Sequence, residues 1–389
     1  MIIQSLIDTD LYKLTMQQAV YHRFPEATAE YRFASRSSDI DLRPFAGSIR
    51  AEIDKLCDLT FTDDELAYLG GLPFFSPGYL RSLRGFRLPR GAVVVESEPD
   101  FRLVVRGNWY QTILFEVPVL AIVNEISCGR LYPLTAQRRA EGERRLIDKC
   151  RRIRDSDIPL RIAEFGTRRR YSRAWQTQVI DTLRDQAAAA LSGTSNLFDA
   201  RRLGLTPMGT MGHEFLQAHQ VLAPLPRFQQ VALQTWLDEF RGALGIALSD
   251  VIGLDSFLAD FDGALAKAYD GARQDSGDPM VWGDRLVEHY ERLGIDPASK
   301  TAVFTDSLTI ERAQEIARYF RSRIGTSFGI GTHLTNDFDF EAPQIVIKMV
   351  RCNDWPVAKL SDSPGKSLSG DDEYLSFLRR LFGGGHDRR

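Results

Sequence analysis

The sequence predicts an α/β protein, and three observations carry that prediction. After Pro159, short apolar runs end in Gly/Thr/Ser/Asp-rich tips and are followed by helical segments, the pattern of parallel (β/α) units. Before residue 110 helical and β-type segments mix without that alternation. Composition is ordinary for a globular chain, with 43% hydrophobic and 26% charged residues, and 30 Gly with 17 Pro excludes collagen-like and Pro/Gly-rich disordered classes. A length of 389 residues sets an expectation of two or three domains.

The elements follow in order. Apolar Leu11, Leu14, Val20 and Tyr21 predict a helix from near Leu11 to about Tyr21, with Asp8 or Thr9 as its N-cap. Alternation predicts a strand over 29–35. A helix is expected over 49–57 and another from Thr62, where Thr62 and Glu65 form a capping-box pattern. β-Branched runs predict a hairpin of strands 92–97 and 101–106. Helix is expected over 109–130, kinked at Pro118, and over 136–154. Strands are then expected at 160–167, 191–196, 206–214, 245–253, 271–278, 300–307 and 327–332. Between them fall helices at 172–186, 196–203, 228–240, 255–269, 282–293 and 308–324. The tail reads as a strand from Gln344, a turn at Asn353-Asp354, a second strand through 356–362 and a helix over 371–382. That helix is expected to bury Tyr374, Leu375, Phe377, Leu378, Leu381 and Phe382, and 383–389 to fray. Polar tips at strand C-terminal ends suit a (β/α) barrel or an open doubly wound sheet equally. Neither G-x-G-x-x-G nor G-x-x-x-x-G-K-[ST] is present.

With 49 Lys and Arg against 52 Asp and Glu, the net charge of −3 gives no global attraction to nucleic acid or anionic membrane. The 136–154 stretch carries eight basic residues against three acids and is expected to be a solvated helix face rather than a nucleic-acid patch. Cys57, Cys128, Cys150 and Cys352 form no CxxC pair, which argues against disulfides or a Cys-based zinc site. The longest purely apolar run, 117–123, has seven residues, against about 20 for a membrane span. The N-terminus lacks signal-peptide character. A cytoplasmic protein is expected.

Several tips offer anion chemistry. Gly166-Thr167-Arg168-Arg169-Arg170 places three guanidinium groups after a strand, suited to phosphate or carboxylate, or simply opening a helix. Gly329-Ile330-Gly331-Thr332 has the form of a phosphate nest. Arg273 to Asp278 gathers a cation, a hydroxyl and the acids Asp275 and Asp278, which can hold a diphosphate-bound Mg²⁺ or form Asx turns and helix caps. Asp250 and Asp306 share that ambiguity. His213 follows a Gly-rich tip and precedes Glu214, as a nucleophile or acid/base residue does, whereas His219 lies deeper in a helix.

Seven strings occur in a fixed order: Thr9-Asp10-Leu11-Tyr12-Lys13, Glu164 to Arg170, Gly193-Thr194-Ser195-Asn196, Pro207 to Glu214, Arg273 to Pro279, Gly329 to Thr332, and Pro356 to Asp362. Together they resemble the nicotinate phosphoribosyltransferases, over nearly the whole chain. The resemblance implies a mixed α/β sandwich-like domain at 1–135, to which 344–389 returns, packed on an irregular (β/α) barrel at 136–343. It implies nicotinate and 5-phosphoribosyl 1-pyrophosphate as substrates, ATP and Mg²⁺ as cofactors, and a homodimer. It also implies an ATP-dependent, ligase-class reaction in NAD salvage. By the resemblance His213 would become a phosphohistidine, Tyr12 and Arg273 would contact nicotinate, and Thr210 would line its pocket. By the same resemblance Gly331-Thr332 would hold the ribose-phosphate end, Arg168 and Arg169 would contact anions and Tyr12 would reach a partner subunit's site; Asp275 and Asp278, read from their own tip, are the expected metal ligands. The nicotinamide-using relatives carry an aspartate where this chain has Ser195; an acid would repel a carboxylate, so Ser195 favours nicotinate. Quinolinate phosphoribosyltransferases lack the histidine motif, and a non-catalytic nucleotide sensor would not need Arg, Asp and His at separate tips.

Overall fold

The computed structural model describes residues 1–37, 40–360 and 368–383, so Ser361, Asp362 and the tail 384–389 lie outside the described residues. One unit comprises 1–209 with 329–348, and a second comprises 210–328 with 349–389. The boundaries differ from the expected 135 and 343. The basic helix Ala136–Arg154 belongs to the first unit because Arg138 pairs with Asp339, and Arg145 and Lys149 with Asp337. Arg144, Arg145, Arg151 and Arg152 of that helix pair with its own Glu141 and Asp148, so much of its positive charge is met locally.

In the first unit β1 (Thr28–Ser35) and β2 (Val93–Glu96) flank β3 (Arg102–Asn108) in antiparallel register, with Tyr31 opposite Val105 and Val94 opposite Val104. The first helix, Leu11–Arg23, buries Leu11, Leu14, Met16 and Val20 together with polar Lys13, Gln17 and Gln18. Those polar groups are partnered: Gln17 takes the Tyr79 hydroxyl, Gln18 spans Phe74 O and Ser76 N, and Lys13 meets Glu116 at 2.5 Å. Helical backbone runs from Trp109 to Leu131, and an 18-residue window within it has a mean hydropathy of 1.5 and is 78% buried within the chain. It is a core helix. Pro118 falls in the first turn of Glu116–Leu131, directly after the 3-10 turn Ile113–Phe115 that interrupts the helical run, where a missing N–H is tolerated. The Thr62–Glu65 capping box forms as read.

Two parallel strands, β4 (Ile162–Glu164) and β5 (Leu191–Thr194), complete this unit's framework. The strand expected at 206–214 is instead a loop: Thr194 N donates to Thr206 O and Met208 N to Thr194 O, a bridge beside β5, before a helix opens at His213.

The second unit sets β6 (Ile246–Leu248), β7 (Gly271–Gln274), β8 (Thr301–Phe304) and β9 (Gly325–Ile330) side by side, all parallel, the last running on by chain into the first unit. The expected (β/α) alternation is present; the strands of neither unit close a barrel by themselves. Intervening helices include Pro279–Arg292 and Ile310–Tyr319, and the stretch expected as one helix at 255–269 splits into Leu254–Asp260 and Gly263–Ala268, the second capped by Asp262. β10 (Ile345–Cys352) turns through Asn353 and Asp354, both left-handed, into β11 (Trp355–Pro356) and then β12 (Ala358–Lys359). The last helix, Asp372–Phe382, buries Leu375, Leu378 and Phe382, but Phe377 and Leu381 face outward.

Gly193 shows how tightly the β5 tip is drawn: its φ is 152° and a Cβ there would sit 2.1 Å from Thr206 O. Gly193→Ala is expected to cost about 1–3 kcal/mol, seen as a lower urea midpoint with an unchanged slope.

Candidate active site

In the second unit, His213 is the first residue of the helix His213–Leu222. Its Nε2 lies 2.8 Å from Asp250 Oδ1 and 2.9 Å from Lys359 Nζ. Lys359 Nζ also donates to Asp250 Oδ2, which accepts the Ser276 hydroxyl at 2.7 Å. Asp250 follows β6, Ser276 follows β7, and Lys359 ends β12, so three strand tips converge on one imidazole. Burial works to raise the Asp250 carboxyl, but the charges of His213 and Lys359, with their hydrogen bonds, outweigh it and hold it well below the usual carboxylate range. Asp275 Oδ2 lies 3.7 Å from the same imidazole nitrogen, and its Oδ1 accepts the Thr305 hydroxyl. Burial opposes ionisation of Asp275 too, and Arg273 and then His213 overcome it.

Beside them Arg273 donates Nη1–H to Met211 O at 3.2 Å, while its buried Nε–H has no partner. A buried charged donor without an acceptor is rare in a native fold and marks a place for an anion. The Thr210 hydroxyl donates to Ile246 O.

His213, Asp250 and Asp275 offer ligand atoms within 4.8 Å of one another. Mg²⁺ takes oxygen ligands, and Asp250 is already committed to Lys359, Ser276 and His213. Half-buried Asp275 is therefore the carboxylate that fits. Asp278 does not: its Oδ1 accepts from Met280 N and Val281 N as the N-cap of Pro279–Arg292, and its Oδ2 lies toward Arg312. The expected metal role of Asp278 thus gives way to a helix cap.

In the first unit the tips of β4 and β5 gather a second group. Leu11 N donates to Ser195 O, and Leu197 N and Phe198 N donate to Thr9 O and Ile7 O, laying the N-terminal segment along the β5 tip. A Cβ on Gly209 would lie 3.3 Å from Tyr12 N, so this chain's own tip carries the Tyr12 segment. Asp10, not Asp8 or Thr9, occupies the N-cap position, and its side chain makes no cap hydrogen bond. It accepts the Ser195 hydroxyl instead, at 2.8 Å. An acid therefore already stands beside Ser195, which removes the simple inference that a serine there leaves the tip free of negative charge. Half-exposed Arg168 pairs with Glu116, and Glu116 also holds Lys13. Arg169 turns to Gln344. Gly331 packs where a Cβ would meet Phe165 O at 2.9 Å, and Thr332 opens a four-residue helix.

Sequence reasoning singled out His213, Arg273 and Asp275 at separate tips and left Asp250 ambiguous; the structure brings them together. It missed Lys359 as a partner and Asp10 as more than a turn residue, and it named the Ser276 hydroxyl only as part of its own tip. Lys359 lay inside the Pro356–Asp362 string, but a lysine distant in sequence from every acid it meets carries no spacing signal.

Family models cover most of the chain: that of the nicotinate phosphoribosyltransferase (NAPRTase) N-terminal domain matches residues 7–124, and that of the NAPRTase family matches 160–386. The chain is 50% identical over 391 residues to a nicotinate phosphoribosyltransferase of Bordetella petrii, covering 98% of this chain and 99% of the relative. It is 50% identical over 388 residues to one of Cupriavidus necator, covering 98% of each. Among solved structures, nicotinate phosphoribosyltransferases of Vibrio cholerae and Porphyromonas gingivalis each superpose with a TM-score of 0.92, at 38% and 34% identity. They cover 99% and 98% of this chain and 95% and 100% of their own lengths.

Beneath the β4 and β5 tips Glu164, fully buried, accepts from Thr194 Oγ1 at 2.6 Å, Gly166 N at 2.5 Å and Gln176 Nε2 at 3.1 Å. Burial nevertheless pushes its carboxyl up to about 7 from an ordinary 4.5. Between those values the folded chain keeps a proton that the unfolded chain releases. The contribution of Glu164 to stability therefore falls as pH rises through that window, by about 3 kcal/mol in total. Glu164→Gln cannot titrate. The difference in unfolding free energy between wild type and variant should shift by about 2–3 kcal/mol between pH 5 and pH 8 in urea titrations, and a constant difference would contradict the assignment.

Proposed function

Because the chain belongs to the nicotinate phosphoribosyltransferase family, we propose that it joins nicotinate to 5-phosphoribosyl 1-pyrophosphate. The products are nicotinate mononucleotide and pyrophosphate, and the reaction is coupled to ATP through phosphorylation of His213. The observation that carries the reading beyond family membership is the orphaned, buried Nε–H of Arg273. A carboxylate is the partner its planar guanidinium suits, and nicotinate brings one.

The histidine cluster supports the ATP-linked half. In the tautomer with its proton on Nε2, donated to Asp250 Oδ1, Nδ1 is the ring's nucleophile. In-line attack by Nδ1 on the terminal phosphorus forms an N–P bond as the bond to the bridging oxygen breaks, and ADP leaves. Lys359, buried beside the ring, balances the two aspartates that would otherwise repel an incoming phosphoryl group. Mg²⁺, with Asp275 as its fitting ligand, would neutralise the diphosphate leaving group. At the ribose, C1 loses pyrophosphate as the pyridine nitrogen bonds to it through an oxocarbenium-like transition state, so the protein's task is positioning and charge rather than covalent work on the ring. The homodimer and cytoplasmic location belong to the same proposal. Four free, buried cysteines accord with a reducing compartment.

Two variants test this. His213→Asn keeps polarity but has no nucleophilic imidazole, so acid-labile label from [γ-³²P]ATP should disappear together with ATP stimulation; equal labelling of variant and wild type would move the acceptor elsewhere. Arg273→Ala removes a charged hydrogen bond worth about 1.5–3 kcal/mol, so KM for nicotinate should rise about 10- to 150-fold while the donor's KM moves less.

A further inference from the structure

His213 Nε2 has two partners that make opposite demands of it. Asp250 Oδ1, at 2.8 Å, belongs to an ionised carboxylate and can only accept a proton. Lys359 Nζ, at 2.9 Å, belongs to an ammonium and can only donate one. A neutral imidazole nitrogen carries either an N–H or a lone pair. With the proton on Nε2, the ring bonds Asp250 and turns an N–H toward the ammonium. With the lone pair there, it accepts from Lys359 and faces the carboxylate with a second lone pair. Asp275 Oδ2, 3.7 Å away, lies beyond hydrogen-bonding reach of this nitrogen. All three contestants are buried, so bulk water does not relieve the conflict.

The other bonds of the two partners decide it. Asp250 Oδ2 already accepts from Lys359 and from the Ser276 hydroxyl. The ammonium has three N–H groups to place, and among the described residues its partners are Asp250 and His213 alone. Should Nε2 carry the proton, two of those buried, charged donors lack an acceptor, which costs more than one carboxylate lone pair turned aside.

We propose that Lys359 is a positioning residue that gates the nucleophile: its bond to Nε2 holds His213 in the tautomer whose Nδ1 is protonated, and the phosphate oxygens of the nucleotide draw that donor away. The inference rests on the phosphorylation of His213 proposed above. In the gated ring Nδ1 has no lone pair to attack with. Once a phosphate oxygen accepts from Lys359, the Nδ1 proton leaves to solvent as another joins Nε2 and is donated to Asp250, with no net gain or loss. Nδ1 then attacks the terminal phosphorus, the bond to the bridging oxygen breaks, and ADP departs with that electron pair. Asp250 selects the reactive tautomer and Lys359 the resting one, so the nucleophile is exposed only when the donor is in place.

Two measurements on the full-length protein test this. The first reads the tautomer by ¹⁵N NMR after ¹⁵N-histidine labelling, because N–H and lone-pair nitrogens of an imidazole resonate far apart. Six histidines contribute, and the His213 signals are those missing from His213→Asn. Without nucleotide, Nε2 should be the lone-pair nitrogen. With Mg²⁺ and the non-transferable β,γ-imido analogue of ATP it should become the N–H, and in Lys359→Met it should be the N–H throughout. The second compares rates of acid-labile labelling from [γ-³²P]ATP and from [³²P]phosphoramidate, a donor without a nucleotide. Lys359→Met should take label from phosphoramidate about tenfold faster than wild type or more, and from ATP more slowly, whereas Lys359→Arg, which keeps a charged donor, should move both rates back toward wild type. A general loosening of the site would slow both donors together. The wild-type spectra carry the test if the Met variant does not fold. An Nε2 that is already N–H without nucleotide, or a Met variant slowed with both donors or changed with neither, overturns the gate. If wild type takes up no label from ATP, the phosphohistidine reading fails instead.

Discussion

Everything the first unit offers to chemistry depends on one guanidinium that water does not reach. Arg170 holds Asp8 with two parallel bonds of 2.7 and 2.9 Å, Glu125 with its Nε–H at 2.8 Å, and Gln176 at 3.1 Å. Asp8 in turn accepts Asn196 Nδ2 at 2.8 Å. Strings around residues 8, 170 and 196 are thereby tied at a single point. Burial works against the charge of Asp8, but Arg170 and Asn196 hold its carboxyl below the ordinary value. Removing one partner from such a buried set typically costs about 3–5 kcal/mol because the other charge is stranded. An ion pair is weak as a source of net stability and strong as a source of register, because no shifted arrangement of the N-terminal segment satisfies all these donors together.

That constraint explains why a turn residue bonds the β5 tip rather than capping its own helix. With Asp8 spent on Arg170, the Asp8-Thr9-Asp10 turn cannot use its first acid as a cap. The backbone N–H of Leu11 is taken by Ser195 O, so the second acid is drawn to the β5 tip as well. The first helix starts without a side-chain cap, a loss of about 1 kcal/mol, and its opening turn is held by tertiary bonds instead. Sequence logic places a cap at Asp8 or Thr9 because capping is local. The structure overrides it because the competing partners lie more than 150 residues away.

The same division between local and distant runs through the fold. Helices such as Ala136–Arg154 and Phe228–Phe240 were legible to the residue, and strands β1, β3 and β6 to β10 to within a few residues, because periodicity and capping act over a turn or two. The loop at 206–212 was not legible as a loop: its apolar and Gly-rich texture is that of a strand, and only the bridge to Thr194 shows that it runs beside β5 without joining the ladder. In the last helix, Phe377 and Leu381 read as core by residue type, although the buried positions are Leu375, Leu378 and Phe382, one stripe at helical spacing.

At the histidine cluster, residue types were legible but their assignment to roles was not. Asp250, Asp275, Asp278 and Asp306 all follow strands and are equivalent in sequence. The structure separates three of them by what each carboxylate already holds. Asp278 is spent on two helix N–H groups, Asp250 on an imidazole, an ammonium and a hydroxyl, and Asp275 on one hydroxyl with a second oxygen facing the imidazole. A carboxylate with all its lone pairs engaged orients its neighbours, and one with capacity left can take a ligand. By that accounting Asp250 fixes the ring of His213 and Asp275 keeps room for a cation, while Arg273 keeps a donor for an anion. Unspent hydrogen-bonding capacity of both signs, held in buried surroundings where leaving it unused is costly, is what separates a binding site from an ion-pair network of the Arg170 kind.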